Sequence, residues 1–132
     1  MCEDNAETHK ICKIMIVEDN TVFRTCLHDA LREQFPNLDI VAFADGEAVL
    51  ENVKALATNL IFMDIRLPGH NGIELTRLIK QNHAEIHVIV MTFHDQLEYR
   101  ELALKSGADQ FVRKDALNNA YLAGLVRSVC NL

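Results

Sequence analysis

Apolar residues gather into five short runs along the chain, at 14–17 (IMIV), 40–44 (IVAFA), 60–63 (LIFM), 88–91 (VIVM) and 111–112 (FV). Several are continuous rather than alternating, which is the pattern of strands covered on both faces. Between them the spacing changes to that of amphipathic helices. Val22, Cys26, Leu27, Ala30 and Leu31 share one predicted face, as do Val49, Val53 and Leu56. Leu75, Leu78 and Ile79 form a third stripe, and Tyr121, Leu122, Leu125, Val126 and Val129 a fifth. The fourth segment, 96–105, spreads Leu97, Tyr99, Leu102 and Leu104 around the helix, so its apolar excess is either core or a docking face.

The breaks agree with this order. Pro36 and Asn37 close the first helix, Asp45 and Gly46 open the second, and Ser106 with Gly107 ends the fourth. Five strand–helix alternations predict an α/β domain, a parallel sheet with helices on both faces. No repeat, low-complexity tract or linker interrupts it. The expected organisation is a polar tail over 1–10 and one domain over 11–132.

Composition narrows the function. A chain of 132 residues, 49% hydrophobic and 24% charged, excludes wholesale disorder and suffices for one core. A net charge of −6 without any run of lysine or arginine argues against direct nucleic-acid binding. It suits a divalent cation or a basic partner instead. No stretch approaches the ~20 apolar residues of a membrane span, and the polar start MCEDNAETHK has no secretory core. Cys2, Cys12, Cys26 and Cys130 form no CxxC pair, so reduced thiols and a cytoplasmic setting are expected.

In sheets of this kind ligands bind beyond the carboxyl ends of the strands. Glu18 and Asp19 follow the first run, Asp64 the third, Thr92 the fourth, and Lys114 comes shortly after the fifth. Each has a plain reading by itself. Glu18 and Asp19 could favour a helix dipole, Asp64 start a turn, Thr92 cap a helix, Lys114 sit in solvent and Phe111 fill the core. Their coincidence at successive strand ends points to chemistry. Three crowded carboxylates repel by about 4 kcal/mol per pair at ~4 Å and an effective dielectric near 20. An all-oxygen set with room for water suits Mg²⁺. With Asp64 as nucleophile, Lys114 as a second positive charge and Thr92 as a hydroxyl donor, the set fits phosphoryl transfer.

The segments IVEDN, DIRLPGHNG, MTFHD and KSGADQFVRKD, in this order and spacing, resemble the receiver domain of two-component response regulators over about 13–130. Arg66, His94 and Asp115 are similar to the LuxR/NarL-type transcriptional regulators within that family. The resemblance implies a flavodoxin-like (CheY-like) five-stranded parallel sheet of order 2-1-3-4-5. It implies that Asp64 accepts a phosphoryl group from a sensor histidine kinase or phosphotransfer protein. Mg²⁺ would be held by Asp19 and Asp64, by Glu18 mostly through water, and by the backbone carbonyl of Arg66. Thr92 would shift toward the phosphoryl group, Lys114 would pair with it, and Phe111 would turn inward as the switch aromatic, without a tyrosine hydroxyl.

The same resemblance makes Arg66 and His94 tuners of phosphoryl lifetime. Phe93 departs from it, since a small residue is usual after the threonine, and the ring would restrict access by small donors. The implied output is transcription through a DNA-binding domain outside this chain, with a phosphorylation-dependent homodimer as one route, and a stand-alone phosphorelay protein as the alternative. The chain is not expected to be a turnover enzyme or to meet a membrane. A Mg²⁺-dependent phosphohydrolase using Asp64 would need a second aspartate where Arg66 stands, and a nucleotide-binding domain would need a glycine-rich loop after the first strand.

Overall fold

In the computed structural model, which describes residues 12–54, 57–93 and 97–132, five parallel strands make one sheet. They are β1 (Lys13–Val17), β2 (Asp39–Phe43), β3 (Leu60–Asp64), β4 (His87–Thr92) and β5 (Gln110–Arg113). The spatial order is β2-β1-β3-β4-β5, as the resemblance to receiver domains implies. The helices are α1 (Thr21–Gln34), α2 (Gly46–Asn52), α3 (Gly72–Asn82), α4 (Leu97–Lys105) and α5 (Asn119–Cys130). The expected tail lies outside the described residues, as does Leu56.

Strand periodicity divides the core in two. Ile14, Ile16, Leu60, Phe62, Ile89 and Met91 turn to the face covered by α1 and α5. Met15, Val17, Ile61, Met63, Val88 and Val90 turn to the face covered by α2, α3 and α4. Central strands with both faces covered must be apolar at every position, which is why β1 and β3 read as unbroken runs. β2 lies at the edge and mixes buried with exposed positions.

Asparagine and aspartate set the helix starts. The side chains of Asn20, Asp45, Asn71 and Asn118 accept from the backbone N–H groups of Phe23, Ala48, Ile73 and Tyr121 at 2.7–3.0 Å. Packing on the sheet sets the phase of α1. Leu27 and Leu31 are buried, Phe23 and Ala30 pack beside them, and Val22 and Cys26 face outward. The predicted stripe therefore loses Val22 and Cys26, each about 100° from its inward neighbour, and gains Phe23.

The cysteines also depart from expectation. Cys12, just before β1, and Cys130, at the end of α5, are joined in a disulfide across 118 residues. No CxxC spacing announces it, because α5 packs on the face that β1 helps to form and brings its last turn back over the start of that strand. The cytoplasmic expectation thus draws no support from this pair. No helix among the described residues is long and apolar enough to cross a membrane.

After β3 the chain turns through a two-residue antiparallel pairing, Arg66–Leu67 against His70–Asn71, with Gly69 at φ +71°. The return ends on Gly72, whose N–H donates to the carbonyl of Ile65 at 2.6 Å. A Cβ on Gly72 would lie 1.9 Å from the carbonyl oxygen of Asp64. The backbone of Asp64 is thus braced against the first turn of α3. Gly72→Ala is expected to cost about 1–3 kcal/mol or more through forced backbone displacement. Thermal unfolding checks it, and a wild-type Tm would show that the contact is relieved without cost.

Candidate functional site

Sheet register assembles the site one step at a time. Val17 pairs with Met63, so Glu18 and Asp64 emerge side by side from β1 and β3. Asp64 pairs with Met91, and Thr92 follows at the end of β4. Thr92 pairs with Arg113, and Lys114 is the next residue, opening a short 3₁₀ turn. Glu18, Asp19, Asp64, Arg66, Thr92 and Lys114 line one pocket of about 340 Å³. All six were named from the sequence.

The acidic turn is held by its own backbone. The N–H of Glu18 donates to the carbonyl of Phe43 at 3.0 Å, and Arg24 from α1 donates to the carbonyl of Glu18 at 2.7 Å. Asn20 N–H donates to a Glu18 carboxylate oxygen at 3.1 Å. This leaves Glu18 fully buried while Asp19, one residue on, is exposed.

Lys114 is no surface charge. Its side chain is 3% exposed, with Nζ 2.7 Å from Glu18 Oε1 and 3.3 Å from Asp64 Oδ1. Two aromatic rings cover the ammonium: the centroid of Phe93 lies at 4.3 Å and that of Phe23 at 4.9 Å. The rings meet edge to face at 6.1 Å. Attraction of the ammonium by the ring faces, and exclusion of water, keep the cation over the carboxylates. Burial and the neighbouring Glu18 carboxylate push the Asp64 carboxyl up from 3.8 to about 7, against the pull of Lys114.

A cation fits these residues. Glu18, Asp19 and Asp64 each offer an oxygen, all within 4.8 Å of one another, the one such acid, His or Cys cluster among the described residues. Buried Glu18 Oε1 lies 2.7 Å from the Lys114 ammonium and next to the Asp64 carboxyl, facing the space between the acids. Exposed Asp19 leaves room for water, and a hard divalent cation favours such an oxygen set.

Phe111 is 4% exposed and packs in the core under α4. His94 lies outside the described residues. Sequence reasoning missed Phe23, Arg24, Gly72 and Tyr99, the last of which lines the pocket from α4. The bulk of Phe93 was noticed, but its partner Phe23 had only an apolar position one turn inside a helix to announce it.

A doubly wound sheet carrying acids, a hydroxyl and a buried lysine at successive strand ends is the arrangement of receiver-type α/β domains. Residues 14–125 match the response regulator receiver domain family, and the chain belongs to that family. Among its relatives, chemotaxis protein CheY of Halobacterium salinarum is 33% identical over 102 residues, 77% of this chain and 83% of that one. Transcriptional regulatory protein DegU of Brevibacillus brevis is 34% identical over 104 residues, 78% of this chain but 44% of that one. The chain thus spans less than half the length of DegU. Among solved structures, a LuxR-family two-component response regulator from Aurantimonas superposes with a TM-score of 0.78 at 26% identity, covering 91% of this chain and 85% of that one. The BeF3-activated receiver domain of Klebsiella pneumoniae RstA superposes with 0.80 at 26%, covering 89% and 97%.

The raised Asp64 carboxyl has a definite sign for stability. Below about pH 4 it is protonated whether folded or unfolded and costs nothing. As pH rises from there to about 7 the folded protein is increasingly penalised, and above 7 the whole penalty is in place. Without divalent cation, Asp64→Asn is therefore expected to raise Tm by several degrees at pH 8, with the gain vanishing near pH 4. Lys114→Ala should do the reverse and cost about 3–5 kcal/mol at neutral pH, because it strands buried Glu18. Thermal melts across pH check both, and a destabilised Asp64→Asn at pH 8 would contradict the charge balance described.

Proposed function

We propose that the chain is a phosphoaspartate switch, in which Asp64 accepts a phosphoryl group from a phosphohistidine on a sensor histidine kinase or phosphotransfer protein. The observation that carries this reading is the buried Lys114, bridging Glu18 and Asp64 in a pocket that also holds Thr92. An ammonium kept out of water beside a carboxylate nucleophile is placed to meet the oxygens of an incoming phosphoryl group.

In the step itself an Asp64 oxygen attacks phosphorus, the O–P bond forms and the P–N bond to the donor breaks. The imidazole leaves neutral when its other ring nitrogen carries the proton. Glu18, Asp19, Asp64 and the Arg66 carbonyl would hold Mg²⁺, which when bound neutralises phosphoryl charge and favours ionised Asp64. Lys114 exchanges part of its contact with Glu18 for a phosphoryl oxygen, and the Thr92 hydroxyl donates to another. Arg66, exposed at the pocket rim, and His94 would tune the rate of hydrolysis by water. The product stays attached until water removes it, so the domain acts as a switch and not as a turnover enzyme.

Added charge and acceptor oxygens in this pocket shift the balance between two conformations. The output is control of transcription through a DNA-binding domain outside this chain, with a phosphorylation-dependent homodimer as the intermediate. DegU and NtrC, which extend well beyond the matched part, are named as transcriptional regulators. A cytoplasmic setting follows from such a partner.

The test is intact-mass analysis after incubation with phosphoramidate or acetyl phosphate and Mg²⁺. An adduct of one phosphoryl group is expected in the parent, and none in Asp64→Asn or with chelator. No adduct from either donor, or an undiminished one in Asp64→Asn, sinks the assignment. Phe93 is half-exposed over Lys114, so Phe93→Ala should fold normally and accelerate adduct formation with acetyl phosphate severalfold. An unchanged rate would show that the ring does not limit entry.

A further inference from the structure

The end of the sheet opposite the acids carries the one disulfide among the described residues. Cys12 precedes β1, whose far end leads to Glu18, and Cys130 closes α5. The fold does not need the bond to bring these two residues together. The N–H of Lys13 donates to the Asn59 side chain at 2.8 Å, and the Asn59 N–H donates back to the Lys13 carbonyl at 2.9 Å, which pins the start of β1 beside β3. Leu122, Leu125 and Val126 seat α5 in the core that holds Ile14 and Ile16. The last turn closes on Asn131, in the left-handed region at φ +58°, and the Leu132 N–H donates to the Arg127 carbonyl at 3.0 Å. Backbone and core thus hold the two Cα atoms 5.6 Å apart from either side.

We propose that Cys12 and Cys130 form a reversible dithiol–disulfide site, with low-molecular-weight disulfides and thiols as its oxidant and reductant, and that oxidation clasps the last turn of α5 to the start of β1. A domain of this length closes its two apolar cores without a cross-link. The dithiol form therefore stays folded, and both forms are native states. Packing keeps the two thiols opposed, and that proximity favours closure over a lasting adduct with a soluble thiol. Cys12 is 7% exposed, whereas Cys130 is only partly buried at the helix end. A soluble thiolate thus meets the Cys130 sulfur first. Its attack forms a mixed disulfide at Cys130 and releases Cys12 as thiolate. A second soluble thiolate attacks the reagent sulfur of that bond, releasing Cys130 thiolate and a soluble disulfide. The protein takes up two electrons, two protons complete the thiols, and oxidation runs the same steps backwards.

The bond joins a strand inside the sheet to the least firmly held part of a surface helix. β1 lies between β2 and β3. Beyond Val126, α5 exposes Arg127 and Ser128 and keeps only Val129 and Cys130 partly buried. A helix end with so few buried contacts opens locally at small cost when nothing ties it down. Oxidation removes that freedom. It does so at the start of β1, while Glu18 and Asp64 stand beyond the ends of β1 and β3. Oxidant and phosphoryl group would therefore act at opposite ends of the sheet, as separate inputs to one domain.

The chain has four cysteines, so in a Cys2→Ser, Cys26→Ser variant only the pair can react. That variant is equilibrated without denaturant in graded mixtures of reduced and oxidised glutathione, acid-quenched and alkylated, and intact mass counts its thiols. Two forms are expected, with two thiols and with none, interconverting fully in both directions. Glutathione adducts should stay below roughly a tenth of the protein, and peptide mapping of the oxidised form should show Cys12 joined to Cys130. The dithiol form should keep the far-UV circular dichroism of the oxidised one and melt roughly 10 °C lower. At labelling times too short for global unfolding, its amides over 127–132 should exchange about tenfold faster. Cys130→Ser added to the same background should show the fast exchange in both buffers. A pair that stays oxidised until denaturant is added is a fixed staple and overturns the proposal. So does a dithiol form that unfolds at room temperature, equal exchange over 127–132 in the two forms, or adducts that persist in place of closure. None of these readouts passes through Asp64, so a failure of phosphoryl loading would leave them standing.

Discussion

Three carboxylates held within 4.8 Å of one another are an electrostatic debt that the rest of the fold is arranged around. The parallel sheet creates it, because register brings the ends of β1 and β3 together and sends Glu18 and Asp64 out side by side. The same register resolves it two strands away, where β5 delivers Lys114 into the gap. The strand order is thus a condition of the chemistry as well as a way to bury side chains.

Burial sharpens every charge in this arrangement. Glu18 is wholly shielded and Lys114 nearly so, while Phe23 and Phe93 replace water over the ammonium. In such a setting the lysine cannot satisfy two acids as fully as solvent would, and the Asp64 carboxyl is left near neutrality in its protonation balance. A divalent cation and a phosphoryl group would answer the two unmet demands separately, the first by adding positive charge among the acids and the second by giving Lys114 a better partner. The resting site is therefore poised by its own imbalance.

The layers of the fold were legible because central strands and helix stripes differ in period, and the two-sided core leaves little freedom about which runs lie inside. The acids, Thr92 and Lys114 were legible because a strand end is a position one can name from an apolar run. What was not legible depended on distances between elements. Phe23 looks like any inward residue of α1 until Phe93 is seen across from it. Gly72 reads as a turn residue, and only its approach to the Asp64 carbonyl shows why a side chain is excluded. Cys12 and Cys130 stand 118 residues apart, and their meeting follows from the path of α5. Val22 and Cys26 were assigned to the wrong side of α1 because apolar content alone does not set helical phase. Packing against the sheet does.

The irregular apolar pattern of α4 admitted two readings, core or docking face, and the structure divides the residues between them. Ala103 and Tyr99 belong to the sheet side, while Leu97, Leu102 and Leu104 are left in solvent. Ala103, part of Tyr99 and the contacts of Arg100 with the ring and carbonyl of Phe111 hold this helix, which has few buried apolar contacts of its own. Exposed leucines on such a helix would be costly ornament on a static surface. On an element that shifted with the state of Asp64, they would become a surface whose presentation follows the chemistry.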